Sequence, residues 1–217
     1  MIKLSYSSLK YLNGEANHEW INKMLGIPVP NYPFLAEGKE AHRIIQDHVS
    51  GKKKHKLLSH IEITFPIVEE KDFDERCKFQ EEFCIGNERY LIIGFLDGLD
   101  KKNKRLLEIK TGKSLWSLKK FKDDMQRKLY AWAFPYFTEV YLITGGRTVE
   151  DWKNEKPKVY TIPLTKDDRN EACDWIKKGI EILKSGKFTG GLDENGKCTG
   201  CFYNNFRYPE LANCNFI

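Results

Sequence analysis

Asp97, Glu108 and Lys110 lie in the stretch GFLDGLDKKNKRLLEIKTGKS, residues 94–114, where apolar strands flank a short basic turn. A turn centred between Lys102 and Asn103 sets Asp97 across from Glu108, and such cross-strand neighbours have Cβ atoms roughly 4.5–5.5 Å apart. Side chains alternate along a strand, so Glu108 and Lys110 share a face about 6.6 Å apart at ~3.3 Å per residue, while Leu107 and Ile109 point the other way, into a core. Two carboxylates at that separation repel unless something positive lies between them. A divalent cation meets that need, and oxygen-rich acidic ligands suit Mg²⁺ or Mn²⁺. Lys110 could then stabilise developing negative charge or orient an attacking water. A Glu-x-Lys triplet is weak on its own. Glu69-Glu70-Lys71 repeats it in a hydrophilic stretch with no strand around it, and for Glu108 the residues alone leave an ordinary surface ion cluster open.

Other residues could join this site. His42 sits mid-helix beside Ala41 and Ile45, where a histidine is either a packed core residue or a metal ligand. Gln126 and Tyr130 are four apart on one helix and share a face. They either flank an apolar stripe as a solvated pair, or border a site where they hold phosphate or order Lys110 and its water. KSLWSLKKFKDDMQRK, residues 113–128, is the most basic stretch nearby. Lys119, Lys120 and Lys122 open a helix whose N-terminus already favours anions. With Lys113 and Trp116 they are candidates for nucleic-acid contact by charge and base stacking. The alternative is a core Phe121 and a solvated lysine face.

The elements that must position these residues follow from pattern. Residues 5–26 read as a helix opened by a serine cap and interrupted near Asn13-Gly14. A proline-rich loop leads to a helix over 36–51, ended by Gly51. HIEITFPIV, residues 60–68, reads as a strand, and residues 78–99 as two strands around a Gly86-Asn87 turn. Residues 105–112 form the next strand. Residues 117–134 read as one helix with Phe121, Met125, Leu129 and Trp132 on a stripe. Strands over 139–146 and 158–164 and a threonine-capped helix over 165–186 complete the order. The expectation is a mixed α/β domain, helices against a central sheet. All 217 residues are assigned to one domain, with residues 187–217 a cysteine-containing tail packed on it.

Bulk properties narrow the classes. A net charge of +5 is a mild bias toward anionic partners. No apolar run approaches the roughly 20 residues needed to span a bilayer, and MIKLSYSSLKYL lacks a signal-peptide pattern. An intracellular protein with no membrane partner is expected. Six cysteines do not suggest a secreted disulfide scaffold.

GFLDGLD…LLEIKTGK resembles the catalytic core of the PD-(D/E)XK nucleases, specifically the RecB-like branch: the nuclease domains of RecB and AddB and the CRISPR-associated iron–sulfur exonucleases. LSYSSLKYL resembles that family's N-terminal Leu-Ser-x-Ser-x-Leu helix. EGKEAH resembles its Gly-x-x-x-His segment and QRKLYAWA its Gln-x-x-x-Tyr motif. These segments occur in the family's order over residues 4–133. Leu96 stands where the family usually has proline. The resemblance implies a restriction-endonuclease-like core and a DNA nuclease, with exonuclease action on single strands or duplex ends. It implies catalytic roles for Asp97, Glu108, Lys110, Gln126 and Tyr130. It further implies Mg²⁺ or Mn²⁺ on His42, Asp97, Glu108 and the carbonyl of Ile109, and a helicase or recombination partner. A silent subunit that keeps the fold and binds nucleic acid or assembles with such a complex is the alternative. The full set of site residues favours the enzyme, since degenerate relatives lose Asp, Glu or Lys. Relatives often hold an iron–sulfur cluster with one N-terminal and three C-terminal cysteines. Here Cys198, Cys201 and Cys214 are candidate tail metal ligands, but residues 13–17 hold no cysteine. Three ligands fall short of the four a cluster takes, so no intact cluster is expected.

Overall fold

The computed structural model describes residues 1–14, 33–68 and 77–186. Cys198, Cys201 and Cys214, Glu69-Glu70-Lys71 and the expected helix beyond Gly14 lie outside the described residues. The chain divides into two compact units, one of Met1–Val29, Glu82–Ile92 and Cys173–Ile217, the other of Pro30–Glu81 and Ile93–Ala172.

The second unit is built on a five-stranded sheet. Its strands are β2 (Ile67–Val68), β5 (Gly98–Asp100), β6 (Arg105–Gly112), β7 (Glu139–Gly146) and β8 (Lys158–Pro163), and they lie in the order β2-β5-β6-β7-β8. β5 pairs antiparallel with β6, Gly98 facing Leu107 and Asp100 facing Arg105. That is the register expected of the basic turn. β6 pairs parallel with β7, from Arg105 opposite Glu139 to Gly112 opposite Gly146. A parallel pair needs a long crossover, and residues 113–138 supply it, carrying two helices, α3 (Leu118–Lys122) and α4 (Met125–Ala133). Leu107 and Ile109 of β6 join Ala41, Ile45 and Val49 of helix α2 (Pro33–Val49) in one apolar cluster with Ile143 and Trp152. Leu106, Leu107, Glu108 and Ile109 are all buried, so both faces of central β6 are covered. Trp152 belongs to a short helix, α5 (Asp151–Asn154).

Expected and observed elements differ at several places. Residues 60–66 are not strand. Ile61 N donates to Leu58 O at 2.8 Å and Phe65 N to Val49 O at 3.0 Å, and Pro66 has no N–H to give a ladder. The expected helix over 117–134 is two helices. The Arg127 guanidinium takes the carbonyls of Phe121 and Lys122 at 3.2 and 2.7 Å, which a continuous helix would have given to its next turn. The strand expected to run through Asp97 breaks. It ends at Phe95 as β4 (Glu88–Phe95), and Leu96 N donates to Cys77 O before β5 begins in the other sheet. Ile2–Ser5 form a strand, β1, that no alternation announced.

β1, β4 and β3 (Lys78–Ile85) form a three-stranded sheet in that order. Within the first unit, Ser5 caps helix α1 (Tyr6–Leu12) by accepting from Ser8 N at 3.3 Å. Asn13 Nδ2 ties the helix end to Trp175 O at 3.0 Å. Trp175 lies on helix α6 (Lys166–Ser185), whose Gly179 admits Leu9 and Asn13 where a Cβ would stand 2.9 and 2.8 Å from them.

The α4 helix is anchored by a buried ion pair. Arg127 donates to Asp168 Oδ1 and Oδ2 at 2.5 and 2.8 Å. Asp168 in turn accepts from Thr165 N at 3.0 Å and donates its own N–H to Thr165 Oγ1 at 3.1 Å, a reciprocal cap on α6. Burial pushes the Asp168 carboxyl up, but Arg127 and Thr165 outweigh it and hold it below the usual range. Asp168→Ala strands a buried guanidinium and should cost about 3–5 kcal/mol in urea unfolding. Because the folded-state value is the lower one, Asp168's contribution is complete above about pH 4, its unfolded value. It is lost as pH falls through the folded value, so the gap between wild type and variant should narrow below pH 4. A gap independent of pH would contradict the pairing.

Candidate active site

Glu108 is 3% exposed, in the middle of β6. A carboxylate there must find partners or it opposes folding. It finds two. Tyr130 OH donates to Glu108 Oε2 at 2.6 Å, and the Lys110 ammonium pairs with Glu108 Oε1. Gln126 closes the ring: Lys110 Nζ donates to its Oε1 at 2.7 Å, and its Nε2 donates to Tyr130 OH at 2.6 Å. Gln126 and Tyr130, four apart on α4, thus both face β6. Tyr130 is 2% exposed and acts through Glu108 and Gln126. Its ring is itself held edge-on by Phe79 at 6.3 Å. Phe79 lies where a Cβ on residue 94 would stand, 2.3 Å away, so the glycine of Gly94-Phe95 makes room for it.

Asp97 follows the break after β4. Its Oδ2 accepts from Ile109 N at 2.6 Å, a side chain taking a position in the ladder that backbone would otherwise fill. Its Oδ1 lies 3.1 Å from His42 Nε2. Gln46, one turn on from His42 in α2, reaches the Asp97 carbonyl at 3.5 Å. Thr111 Oγ1 donates to Gly38 O at 2.9 Å and pins the start of α2 to the end of β6.

Electrostatics follow from burial and close charge. Burial pushes the Glu108 carboxyl up to about 7, and Asp97 acts in the same direction; Lys110 and Tyr130 pull it back without cancelling the rise. Burial disfavours the Lys110 ammonium, but Glu108 outweighs it, helped by Asp124 and Asp97, so its proton is held more firmly than in a free lysine. Burial likewise disfavours charge on His42, and Asp97 overrides it. Burial, with Glu108 and Asp97 beside it, raises the Tyr130 phenol well above its ordinary value.

Among the described residues no three His, Cys, Asp or Glu side chains stand together as a metal-holding group. His42 is engaged with Asp97, and Glu108 with Lys110 and Tyr130. The donor set itself fits a hard divalent cation: two carboxylates and one imidazole, one acid being buried and destabilised by its neighbour's charge, which an added positive charge relieves.

The structure therefore brings His42, Asp97, Glu108, Ile109, Lys110, Gln126 and Tyr130 into one connected set. Of the basic segment, Lys113, Lys119, Lys120 and Lys122 are exposed, and Phe121 is core. Trp116 is half-buried, its backbone N–H fixed by Thr144 Oγ1 at 2.9 Å. Its ring takes Lys120 Nζ at 4.3 Å from the centroid and Lys110 Nζ at 5.2 Å, so it helps hold the site lysine as well. Gln46 and Phe79 escaped sequence reasoning. The i, i+4 spacing from His42 was the available signal for Gln46; nothing local pointed to Phe79. Cys77, Cys84 and Cys173 take no part.

A family model for the PD-(D/E)XK nuclease superfamily matches residues 11–206. Among solved structures, the crystal structure of SSO0001 is similar, with a TM-score of 0.61 at 18% identity over 95% of this chain and 86% of that one. A protein from Eubacterium rectale, named on supposition an exonuclease, gives a TM-score of 0.50 at 10% identity over 89% of this chain and 86% of that one. At these identities the likeness speaks for the fold. No curated protein matches the sequence.

If the Tyr130–Glu108 bond holds the site together, Tyr130→Phe leaves a buried oxygen without its donor and should cost about 1–3 kcal/mol. A double-mutant cycle with Glu108→Gln, read by denaturant unfolding, should show coupling of roughly 0.5–3 kcal/mol. Additive effects would mean the bond contributes nothing.

Proposed function

The chain belongs to the PD-(D/E)XK nuclease superfamily, and from that premise we propose that it is a divalent-metal-dependent DNA nuclease of the RecB-like branch, acting as an exonuclease. The observation that carries the reading is the Lys110 ammonium, half-buried between Glu108 and Gln126 beside Asp97. A lysine kept charged in a poorly solvated site, with an acid whose proton affinity is raised, is costly to a fold and useful to phosphoryl chemistry.

His42, Asp97, Glu108 and the Ile109 carbonyl would hold Mg²⁺ or Mn²⁺, which when bound supplies Lewis-acid stabilisation and a more acidic water. The chain's own residues do the rest. Tyr130 fixes the Glu108 carboxylate on one oxygen. Gln126 fixes both the tyrosine hydroxyl and the lysine. Lys110 is thereby held as a charged donor for the phosphate oxygen that gains charge, with no reorganisation at the moment of reaction. Ile109 N–H and His42 set the orientation of Asp97. Lys113, Trp116, Lys119, Lys120 and Lys122 form the proposed contact with the nucleic-acid backbone and bases. A tail metal on Cys198, Cys201 and Cys214 would be a separate, structural matter, and we expect no iron–sulfur cluster there. The presence of Asp97, Glu108 and Lys110 together speaks against a silent subunit.

Labelled single-stranded and duplex DNA incubated with Mg²⁺ or Mn²⁺ should be shortened from its ends, and EDTA should stop it. Asp97→Ala and Glu108→Ala should abolish cleavage and weaken Mn²⁺ binding by calorimetry with the fold retained. Lys110→Ala should slow turnover by roughly 10²–10³ with little change in DNA affinity. Lys110→Arg should rescue it poorly, because a planar fork does not replace a compact ammonium. Unchanged Mn²⁺ affinity in both carboxylate variants, or a Lys110→Ala enzyme near wild-type rate, sinks the assignment.

A further inference from the structure

A cleft of about 480 Å³ opens beside His42, and of the residues that line it only His42 carries a role in the chemistry proposed above. Its floor is the carboxyl ends of the parallel strands β6 and β7, where Thr111 and Gly112 pair with Gly145 and Gly146. The crevice outside the carboxyl ends of parallel strands is where open α/β sheets bind ligands. Its wall is one face of α2, with Leu35, Lys39 and His42 at helical spacing. The Thr111–Gly38 hydrogen bond holds wall to floor. Arg147, just past β7, closes the far side.

The lining has a definite chemistry. Among the described residues it holds two cationic side chains, Lys39 and Arg147, and no carboxylate. Lys39 is exposed and forms no ion pair among the described residues. Arg147 also lies near Asp151, whose carboxyl is held low by Thr148 and, less strongly, by Arg147, so its charge is partly shared. Leu35 presents a large apolar side chain, 39% exposed, on the same wall. Two cations with an apolar face match an anion that carries a flat or apolar group. The volume falls within the roughly 300–1,000 Å³ that encloses a single small ligand: room for one nucleotide, too little for a duplex.

We propose that this cleft binds one nucleotide of a single strand immediately beside the scissile phosphodiester, with Lys39 and Arg147 on its phosphate and Leu35 against its base or sugar. The proposal rests on the nuclease reading for the identity of the strand, but the cleft can be tested without turnover. Its consequence is that the end of the substrate enters as a single strand, unpaired before it reaches His42.

The test is anisotropy of labelled short oligonucleotides without divalent metal, over a salt series, for wild type, Lys39→Ala, Arg147→Ala and the double variant. The control is Lys153→Ala with Lys158→Ala, which removes two lysines already paired with Glu150 and Glu155. The double variant should bind single strands at least tenfold more weakly, and its salt slope should fall by roughly 0.7 for each lost phosphate contact. The control should bind as wild type. Circular dichroism should confirm that changes at the exposed Lys39 and the half-buried Arg147 leave the fold intact, and Leu35→Ala, which removes no charge, should weaken binding without changing the slope. DNA and RNA strands in parallel show which sugar the cleft accepts. A nucleoside monophosphate should compete, whereas inorganic phosphate at equal concentration should not. Equal competition by phosphate, a double variant indistinguishable from the control, or no binding by the wild type each overturns the proposal. Where metal is added and strands are cut, the double variant should raise KM with kcat little changed. Wild-type protein that binds through Lys39 and Arg147 but cuts nothing in Mg²⁺ or Mn²⁺ overturns the nuclease reading and leaves the cleft standing.

Discussion

The second unit is organised around one buried carboxylate. Glu108 stands at the centre of a strand covered on both faces, where desolvation alone disfavours its charge. A charge in that position is tolerated only with partners whose geometry is fixed. Lys110 comes from two residues along the same strand. Tyr130 comes from the crossover helix and must be held to within hydrogen-bonding reach. The glycine at 94 that admits Phe79, the edge contact of Phe79 on Tyr130, and the Arg127–Asp168 pair that anchors α4 all serve that placement. Loss of any one loosens the hydroxyl that Glu108 needs.

Asp97 is a second departure from a regular sheet, and it depends on a break in the backbone. After Phe95 the chain leaves one sheet and enters another within two residues. Leu96 N–H goes to Cys77 and the Asp97 carboxylate receives Ile109 N–H. A residue within a continuous strand would have spent its backbone on the ladder and pointed its side chain off the face. The break lets Asp97 aim one oxygen at β6 and the other at His42 of α2. One carboxylate thus links strand, turn and helix at a single point.

Much of this was legible in the sequence because it depends on alternation and turn chemistry. Leu107 and Ile109 around Glu108 announced a strand with a charged residue on its second face, and Lys102-Asn103 set the register that the structure has. The i, i+4 spacing of Gln126 and Tyr130 announced a shared face, though not that Tyr130 would be buried. The failures come from contacts distant in sequence. Residues 117–134 alone do not reveal that Asp168, 41 residues on, will hold Arg127 where it takes the carbonyls of Phe121 and Lys122 and splits the helix. Nothing near 60–66 reveals that Phe65 N–H will close on Val49 O. Phe79 reaches Tyr130 across the fold, a contact no local pattern encodes.

Three of these features cost stability. Glu108 is buried where an apolar side chain would satisfy the sheet at least as well. The ladder is interrupted at Asp97, and position 94 accepts a glycine with its added chain entropy inside a strand. A fold selected for packing alone has no use for any of them, and each has a compensation nearby: Tyr130 and Lys110 for the acid, Ile109 N–H for the break, the Phe79 ring for the missing side chain. Scattered through a molecule, such departures would be unremarked accidents. Here all three converge on the space between β6, α2 and α4, beside a lysine that the same charges keep protonated. Local rules that fail together at one point and are compensated there are the physical ground on which the proposed site rests.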